Sequence, residues 1–190
     1  MDSKKRSQQI GEIFYNAFVK ERGTSTITAL SHQVKVILGD LNFRINMENG
    51  QVRRLISTKD YEKLHQYEEL RSLQKENEIL RDFKEGPLYF DPTYKYNFNS
   101  NEYDTSSQPR IPAWCDRVLF EAKEGFELSQ VLYGRAELRI SDHRPVFSLF
   151  EAKIRKINEE KLAELEEKLI AEFNLAKVAP AKEEAVEVLD

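Results

Sequence analysis

A single cysteine in 190 residues excludes an internal disulfide framework and fits a reducing compartment. Nowhere does an apolar run approach the roughly 18 residues that a membrane-crossing helix needs. Nor does an apolar stretch follow Met1-Asp2-Ser3-Lys4-Lys5-Arg6, as one would in a secretory signal. The basic excess of a nucleic-acid binder is absent as well: 29 Lys and Arg stand against 33 Asp and Glu, for a net charge of −4. Since neutralising phosphates supplies most of such a binder's affinity, nucleic acid is not an expected partner. Any phosphate chemistry here is local and directed at a small anionic group. These absences lead to an expectation of a cytoplasmic protein that visits membranes only peripherally. No internal repeat is visible.

What remains is 40% hydrophobic and 33% charged, a soluble globular composition on a chain long enough to bury a core. Residues 7–19 place Ile10, Ile13, Phe14, Ala17 and Phe18 at helical spacing, ended by Gly23-Thr24-Ser25-Thr26. Val34 to Leu38 is a β-branched run stopped by Gly39, the pattern of a buried strand with a polar loop at its carboxyl end. From Thr58 to Leu80 the pattern is helical and heavily charged, with Leu55, Tyr61, Leu64, Leu70, Leu73 and Leu80 on its apolar side. Gly86-Pro87 breaks it. Residues 88–121 read as short strands and turns punctuated by Pro92, Pro109 and Pro112. Glu137–Ile140 and Val146–Phe150 read as strands flanking a Ser-Asp-His turn.

Beyond Ala152 the character changes. Ile154, Ile157, Leu162, Leu165, Leu169, Ile170 and Phe173 form a helical stripe. Residues 153–177 carry six basic and six acidic side chains, so attraction to an anionic bilayer is not indicated. The stripe suits a protein partner or a coiled-coil segment. Residues 176–190 read as a disordered acidic tail. The expected division is 1–152, 153–175 and 176–190.

Three polar clusters carry the chemistry. In Pro112-Ala113-Trp114-Cys115-Asp116-Arg117-Val118-Leu119, a charged pair runs straight into a buried apolar strand, which is costly unless each charge is paired or used. In Gly39-Asp40-Leu41-Asn42-Phe43-Arg44, Asp40 and Asn42 could form a simple turn. Alternatively, Asp40 orients or deprotonates a water while Asn42 donates to a phosphate oxygen. In Ser141-Asp142-His143-Arg144-Pro145, His143 is flanked by acid and base and suits charge handling better than a core. A second acid must then hold its tautomer, and Asp116 is the natural choice. Together these groups suit metal-assisted phosphoester hydrolysis. Tyr94, Lys95 and Arg110 are either parts of a Tyr-rich hairpin or surround a second substrate phosphate, with Arg110 as the bidentate fork.

The three clusters and Pro92-Thr93-Tyr94-Lys95-Tyr96, in chain order, closely resemble the later half of the inositol polyphosphate 5-phosphatase catalytic domain. The resemblance runs from about Arg6 to Phe150. It implies an α/β fold, a four-layer sandwich of the endonuclease/exonuclease/phosphatase type, here its C-terminal half plus a C-terminal helix. It further implies Mg²⁺-dependent hydrolysis of the 5-phosphate of a phosphoinositide headgroup or a soluble inositol phosphate. By the same resemblance Asp40 activates water, Asn42 holds the scissile phosphate, His143 contacts it, and Asp116 orients His143. Asp142 lies near the metal, and Tyr94, Lys95 and Arg110 read a neighbouring 4-phosphate. Arg117 is either a structural charge or one facing a phosphate and is counted with the substrate-binding residues. Cys115 is a bystander.

Two departures qualify that match. Gln108 stands where the family usually has Lys, so specificity for a 4,5-bisphosphate is less secure. The family's domain also begins upstream of anything matching Met1, and the absent half carries the Glu that binds magnesium. The expectation is a truncated product or fragment that is a poor enzyme alone, with open sheet edges. The competing expectations are a non-catalytic module binding phosphoinositides or a partner, and an endonuclease of the same fold.

Overall fold

Strand β3 (Val34–Asp40) and strand β4 (Asp116–Ala122) organise the molecule, pairing antiparallel from Val34 opposite Ala122 to Asp40 opposite Asp116. The computed structural model describes residues 3–22, 25–153 and 156–178. The expected strand thus exists but does not stop at Gly39. Gly39 takes a φ of 127°, which a side chain rarely adopts, and the ladder continues one residue further. That extra residue is Asp40, so the strand itself carries the acid to the rim.

Ahead of β3 come helix α1 (Ser3–Asn16) and a small pair, β1 (Lys20–Arg22) with β2 (Ser25–Ile27). Ile10 and Phe14 of α1 are buried, and Phe14 packs on Phe83 with ring centroids 5.3 Å apart. Phe18, expected on the same apolar face, lies past the helix end and is exposed.

The charged stretch after β3 is not one helix. Thr58 to Leu80 holds two helices, α3 (Tyr61–His65) and α4 (Glu69–Glu76), and a further helix that the charge pattern did not mark, α2 (Asn49–Ser57), precedes them. Local capping causes the breaks. Lys59 has a φ of 58°, and Asp60 then caps α3 by accepting the Lys63 N–H. Glu68 caps α4 by accepting the Leu70 and Arg71 N–H groups. Leu64, Leu70 and Leu80 are nonetheless fully buried, so the expected apolar side faces the core although no single helix axis runs through it.

Strand β5 (Glu127–Arg135) pairs antiparallel with β6 (Val146–Lys153), with a register irregularity between Gln130 and Leu132. The strand expected at Glu137–Ile140 does not form. Those residues belong to the β5–β6 connection, where Leu138 and Ile140 are exposed. The two sheets meet through Phe120 and Phe150, 5.1 Å apart and edge-on, and through the Val118 N–H donating to the Tyr133 hydroxyl at 3.0 Å. Helices combined with antiparallel strand pairs make this an α/β structure.

Two compact units divide the chain, Met1–Lys153 and Ile154–Asp190. In the second, helix α5 (Glu159–Val178) starts later than the expected 153, because β6 runs to Lys153. Leu162, Leu165, Leu169, Ile170 and Phe173 of α5 are exposed. Most of the expected tail, residues 179–190, lies outside the described residues. No described helix is long and apolar enough to cross a membrane.

Candidate active site

Backbone pairing brings the four motifs side by side. Asp40 stands opposite Asp116 at the end of the β3–β4 ladder. Tyr94 bridges Ala113 on one side and His143 on the other. The Arg144 N–H donates to the Thr93 carbonyl at 2.8 Å, and the Tyr96 N–H to the Asp142 carbonyl at 2.9 Å. Residues 93–96 are therefore the seam between the Trp-Cys-Asp-Arg segment and the Ser-Asp-His turn. The turn is anchored by Arg144, which is fully buried with its guanidinium 3.9 Å from the Tyr96 ring centre.

His143 Nδ1 lies 2.9 Å from Asp116 Oδ2. An ionised carboxylate only accepts, so Nδ1 is the donor and Nε2 is left without a protein partner among the described residues. Thr93 donates its hydroxyl to the same Asp116 oxygen at 2.6 Å. The bond to Asp116 pushes the imidazole pKa above its ordinary value. Partial burial opposes that, and the charges of Asp116, Asp40 and Asp142 reinforce it. The ring of Tyr94 rests 4.6 Å from that of His143.

Asn42 has a φ of 58°, and its N–H donates to Asp40 Oδ1 at 2.9 Å. This Asx turn brings the Asp40 carboxylate and the Asn42 backbone together in one loop. The Arg44 guanidinium donates to Asn42 Oδ1 and sits 4.6 Å from the centre of the Tyr94 ring. Asn42, Arg44, Gln108 and Arg110 line one cavity of about 600 Å³. Arg110 is exposed, and its backbone N–H donates to Asp104. That bond, with one from Ser106, holds the Asp104 carboxyl down to about 2. Lys95 is half-buried, and its carbonyl accepts the Asp104 N–H at 2.9 Å. The structure thus gathers Asp40, Asn42, Tyr94, Asp116 and His143, with Arg110 lining the same cavity as Asn42.

Arg117 requires a correction. Its side chain has no exposure and is clamped by Glu68, 2.8 Å from Nη1, and by Glu85, 2.8 Å from Nε and 2.5 Å from Nη2. Alternation along β4 turns it away from the Asp116 side and into the core, so it does not bind substrate. Glu85 Oε1 also accepts the Tyr133 hydroxyl, which ties β5 to the network. Cys115 is buried, and burial pushes its thiol up to about 12, so no nucleophile is available there. Trp114 is fully buried, donating to the Phe90 carbonyl at 2.9 Å and stacking on His65 at 4.7 Å.

Asp142 accepts the Ser141 hydroxyl at 3.4 Å. Among the described residues, no three His, Cys, Asp or Glu side chains gather as a metal would require. A divalent ion that demands several oxygen ligands therefore does not find its site in these residues alone. Thr93 and Arg44 join the site through partners that local sequence does not reveal, Asp116 lying 23 residues from Thr93 and the Tyr94 ring under the Arg44 guanidinium.

The fold and this cluster of acid, amide and imidazole define a class. The sequence model of the Endonuclease/Exonuclease/phosphatase family 2 matches residues 1–149, and the chain belongs to that family. Within it, the likeness is to inositol polyphosphate 5-phosphatases. The chain is 39% identical over 135 residues to the type II inositol 1,4,5-trisphosphate 5-phosphatase of Mus musculus, covering 70% of the chain and 13% of that protein. It is 40% identical over 141 residues to synaptojanin of Caenorhabditis elegans, covering 74% of the chain and 13% of that protein.

Among solved structures, it superimposes on the inositol polyphosphate 5-phosphatase domain of SPsynaptojanin with a TM-score of 0.76 at 30% identity. That structure contains inositol (1,4)-bisphosphate and a calcium ion, and the match covers 91% of this chain and 49% of that one. The chain therefore spans about half of its structural neighbour and a small part of these curated relatives. A Cimex nitrophorin matches with a TM-score of 0.59 at 27% identity, covering 64% of this chain and 42% of that one. A fold shared with a nitrophorin means that function must be argued from the site.

Proposed function

We propose that this chain supplies part of the active site of an inositol polyphosphate 5-phosphatase, which removes the 5-phosphate of a phosphoinositide headgroup or a soluble inositol phosphate. The observation that carries the reading is the bonding of His143 to Asp116, directly across the ladder from Asp40. Asp40 orients the attacking water and takes its proton, while the P–O bond to the inositol ring breaks and the departing ring oxygen takes a proton from solvent. His143, whose pKa is raised by the bond to Asp116 and the surrounding carboxylates, donates in its protonated form to the phosphoryl oxygen through Nε2 as negative charge develops. Asn42 supplies a neutral donor to the same phosphoryl group. Tyr94, Lys95 and Arg110 receive the neighbouring phosphate.

The metal is Mg²⁺ on this reading, with Asp142 beside it and its principal ligands drawn from outside the described residues. It would offset phosphate charge. The described residues alone do not make its site. The protein is placed in the cytoplasm, at membranes peripherally, without nucleic acid as a partner and with α5 available to a protein partner.

The test is phosphate release from a 5-phosphorylated inositol lipid with Mg²⁺, comparing wild type with Asp40→Ala and His143→Ala. Release lost in both variants supports the reading, and equal release in all three removes the assigned site. A second reading is favoured by the lack of a metal-binding cluster among the described residues: a non-catalytic module that binds phosphoinositides. Headgroup binding without turnover, weakened by Lys95→Ala and Arg110→Ala, would select it.

A further inference from the structure

We propose that Arg44 is the positioning residue for Asn42: it fixes the side-chain amide so that Nδ2, and not Oδ1, is presented to the phosphoryl group. This rests on the assignment of Asn42 to that group. The loop geometry leaves a real ambiguity for Arg44 to resolve. The Asx turn fixes the Asn42 backbone, through its N–H bond to Asp40 Oδ1, but leaves the amide free to rotate. A carboxamide has nearly the same shape after a half-turn, so its hydrogen-bond partners alone decide which end faces outward. The two orientations are chemically opposite. One offers two donors to an anion, and the other offers an oxygen that repels it.

Arg44 removes the choice because a guanidinium has donors and no acceptor. It donates to Asn42 Oδ1, and the flipped amide would place N–H against N–H. Asn42 Nδ2 then has no protein acceptor among the described residues and stays available. Arg44 is itself held in place. Its guanidinium stacks on Tyr94 at 4.6 Å, and its backbone N–H donates to Glu69 Oε2 at 2.8 Å. Tyr94 in turn packs on His143 at 4.6 Å, so the amide donor and the imidazole donor are set by one connected stack. A planar fork suits a residue that must stack and donate at once, which an ammonium does poorly.

The test is calorimetric titration of the 190-residue chain with inositol 1,4,5-trisphosphate and with inositol 1,4-bisphosphate. The proteins are wild type, Asn42→Ala, Arg44→Met and the double variant, each checked by thermal melting. Asn42→Ala and Arg44→Met are each expected to weaken trisphosphate binding about tenfold, the worth of one hydrogen bond to a charged group. The double variant is expected to be no weaker than the weaker single variant, within about twofold. Bisphosphate binding, which lacks the 5-phosphate, stays unchanged throughout.

Losses that multiply in the double variant, or that fall equally on both ligands, would make Arg44 an independent anion contact and overturn the proposal. Arg44→Lys keeps a donor-only head group but loses the stacking plane, and is expected to lose less affinity than Arg44→Gln. Arg44→Gln can accept as well as donate and is expected to lose it. Should Arg44→Met fail to fold, that Lys/Gln contrast decides, and its absence overturns the proposal. Trisphosphate binding that is unmeasurable in wild type, or unaffected by Asn42→Ala, overturns the assignment of Asn42 and this inference together. An Asn42 effect with additive Arg44 losses overturns only the inference.

Discussion

Asp40 and Asp116 are the last directly opposed pair of the β3–β4 ladder, so two carboxylates occupy one face of the sheet at its rim. Like charges in that relation destabilise a sheet unless something neutralises them. Here three donors neutralise them: Thr93 and His143 both donate to Asp116, and the Asn42 N–H donates to Asp40. The pair is thus both a cost to the fold and the reason the imidazole pKa is raised.

Asp116→Asn is therefore expected to lower the His143 pKa, measured by following the imidazole resonances against pH. The native pKa is raised, so the pair's stabilisation is complete below the ordinary histidine value and disappears as pH climbs through the raised one. The variant should show no such decline on the alkaline side. An unchanged His143 titration would contradict the pairing.

Arg117→Met is expected to cost about 3–5 kcal/mol of stability in urea denaturation, because Glu68 and Glu85 are left buried without their partner. At temperatures where the variant stays folded, its affinity for inositol phosphates should match wild type. Weakened binding by a fully folded variant would return Arg117 to the cleft.

Cys115 should resist thiol reagents in the native protein. It is buried, and its thiol is pushed up to about 12, so little thiolate exists to react. Modification is expected to keep pace with unfolding as urea is added. Rapid labelling without denaturant would show that the segment opens.

His65 predicts an acid-side effect of opposite sign to His143. Burial, with the nearby Arg71 and Arg117, pulls its pKa down to about 4, so the unfolded chain takes up a proton that the folded one refuses. Its contribution is present above the ordinary value near 6.5 and is lost as pH falls toward 4. His65→Gln should flatten the decline of melting temperature across that interval.

Much of the site was legible because chemistry-bearing residues sat in short motifs whose types already suggested their work. Asp40, Asn42 and His143 could be named from their neighbours, and Asp116 from the need of His143 for a second acid. The helices were less legible. Charged residues from Thr58 to Leu80 fit a helical period, yet the Glu68 and Asp60 caps divide them. Capping depends on where a side chain folds back, which periodicity does not encode. Strand β5 escaped because its alternation is weak and irregular at Gln130 and Leu132, while the more apolar Glu137–Ile140 drew the strand assignment without a partner to pair with.

Arg117 marks the limit most clearly. By itself the sequence determined that a charged pair, Asp116-Arg117, enters a buried strand and that both charges must be satisfied. Only the tertiary structure decided how. Alternation along β4 sends adjacent side chains to opposite faces, so Asp116 meets His143 and Thr93 at the rim while Arg117 meets Glu68 and Glu85 in the core. The partners lie 27 and 23 residues away on one side, and 49 and 32 on the other. Such distances are closed by sheet register and packing, which no local reading of the residue types contains.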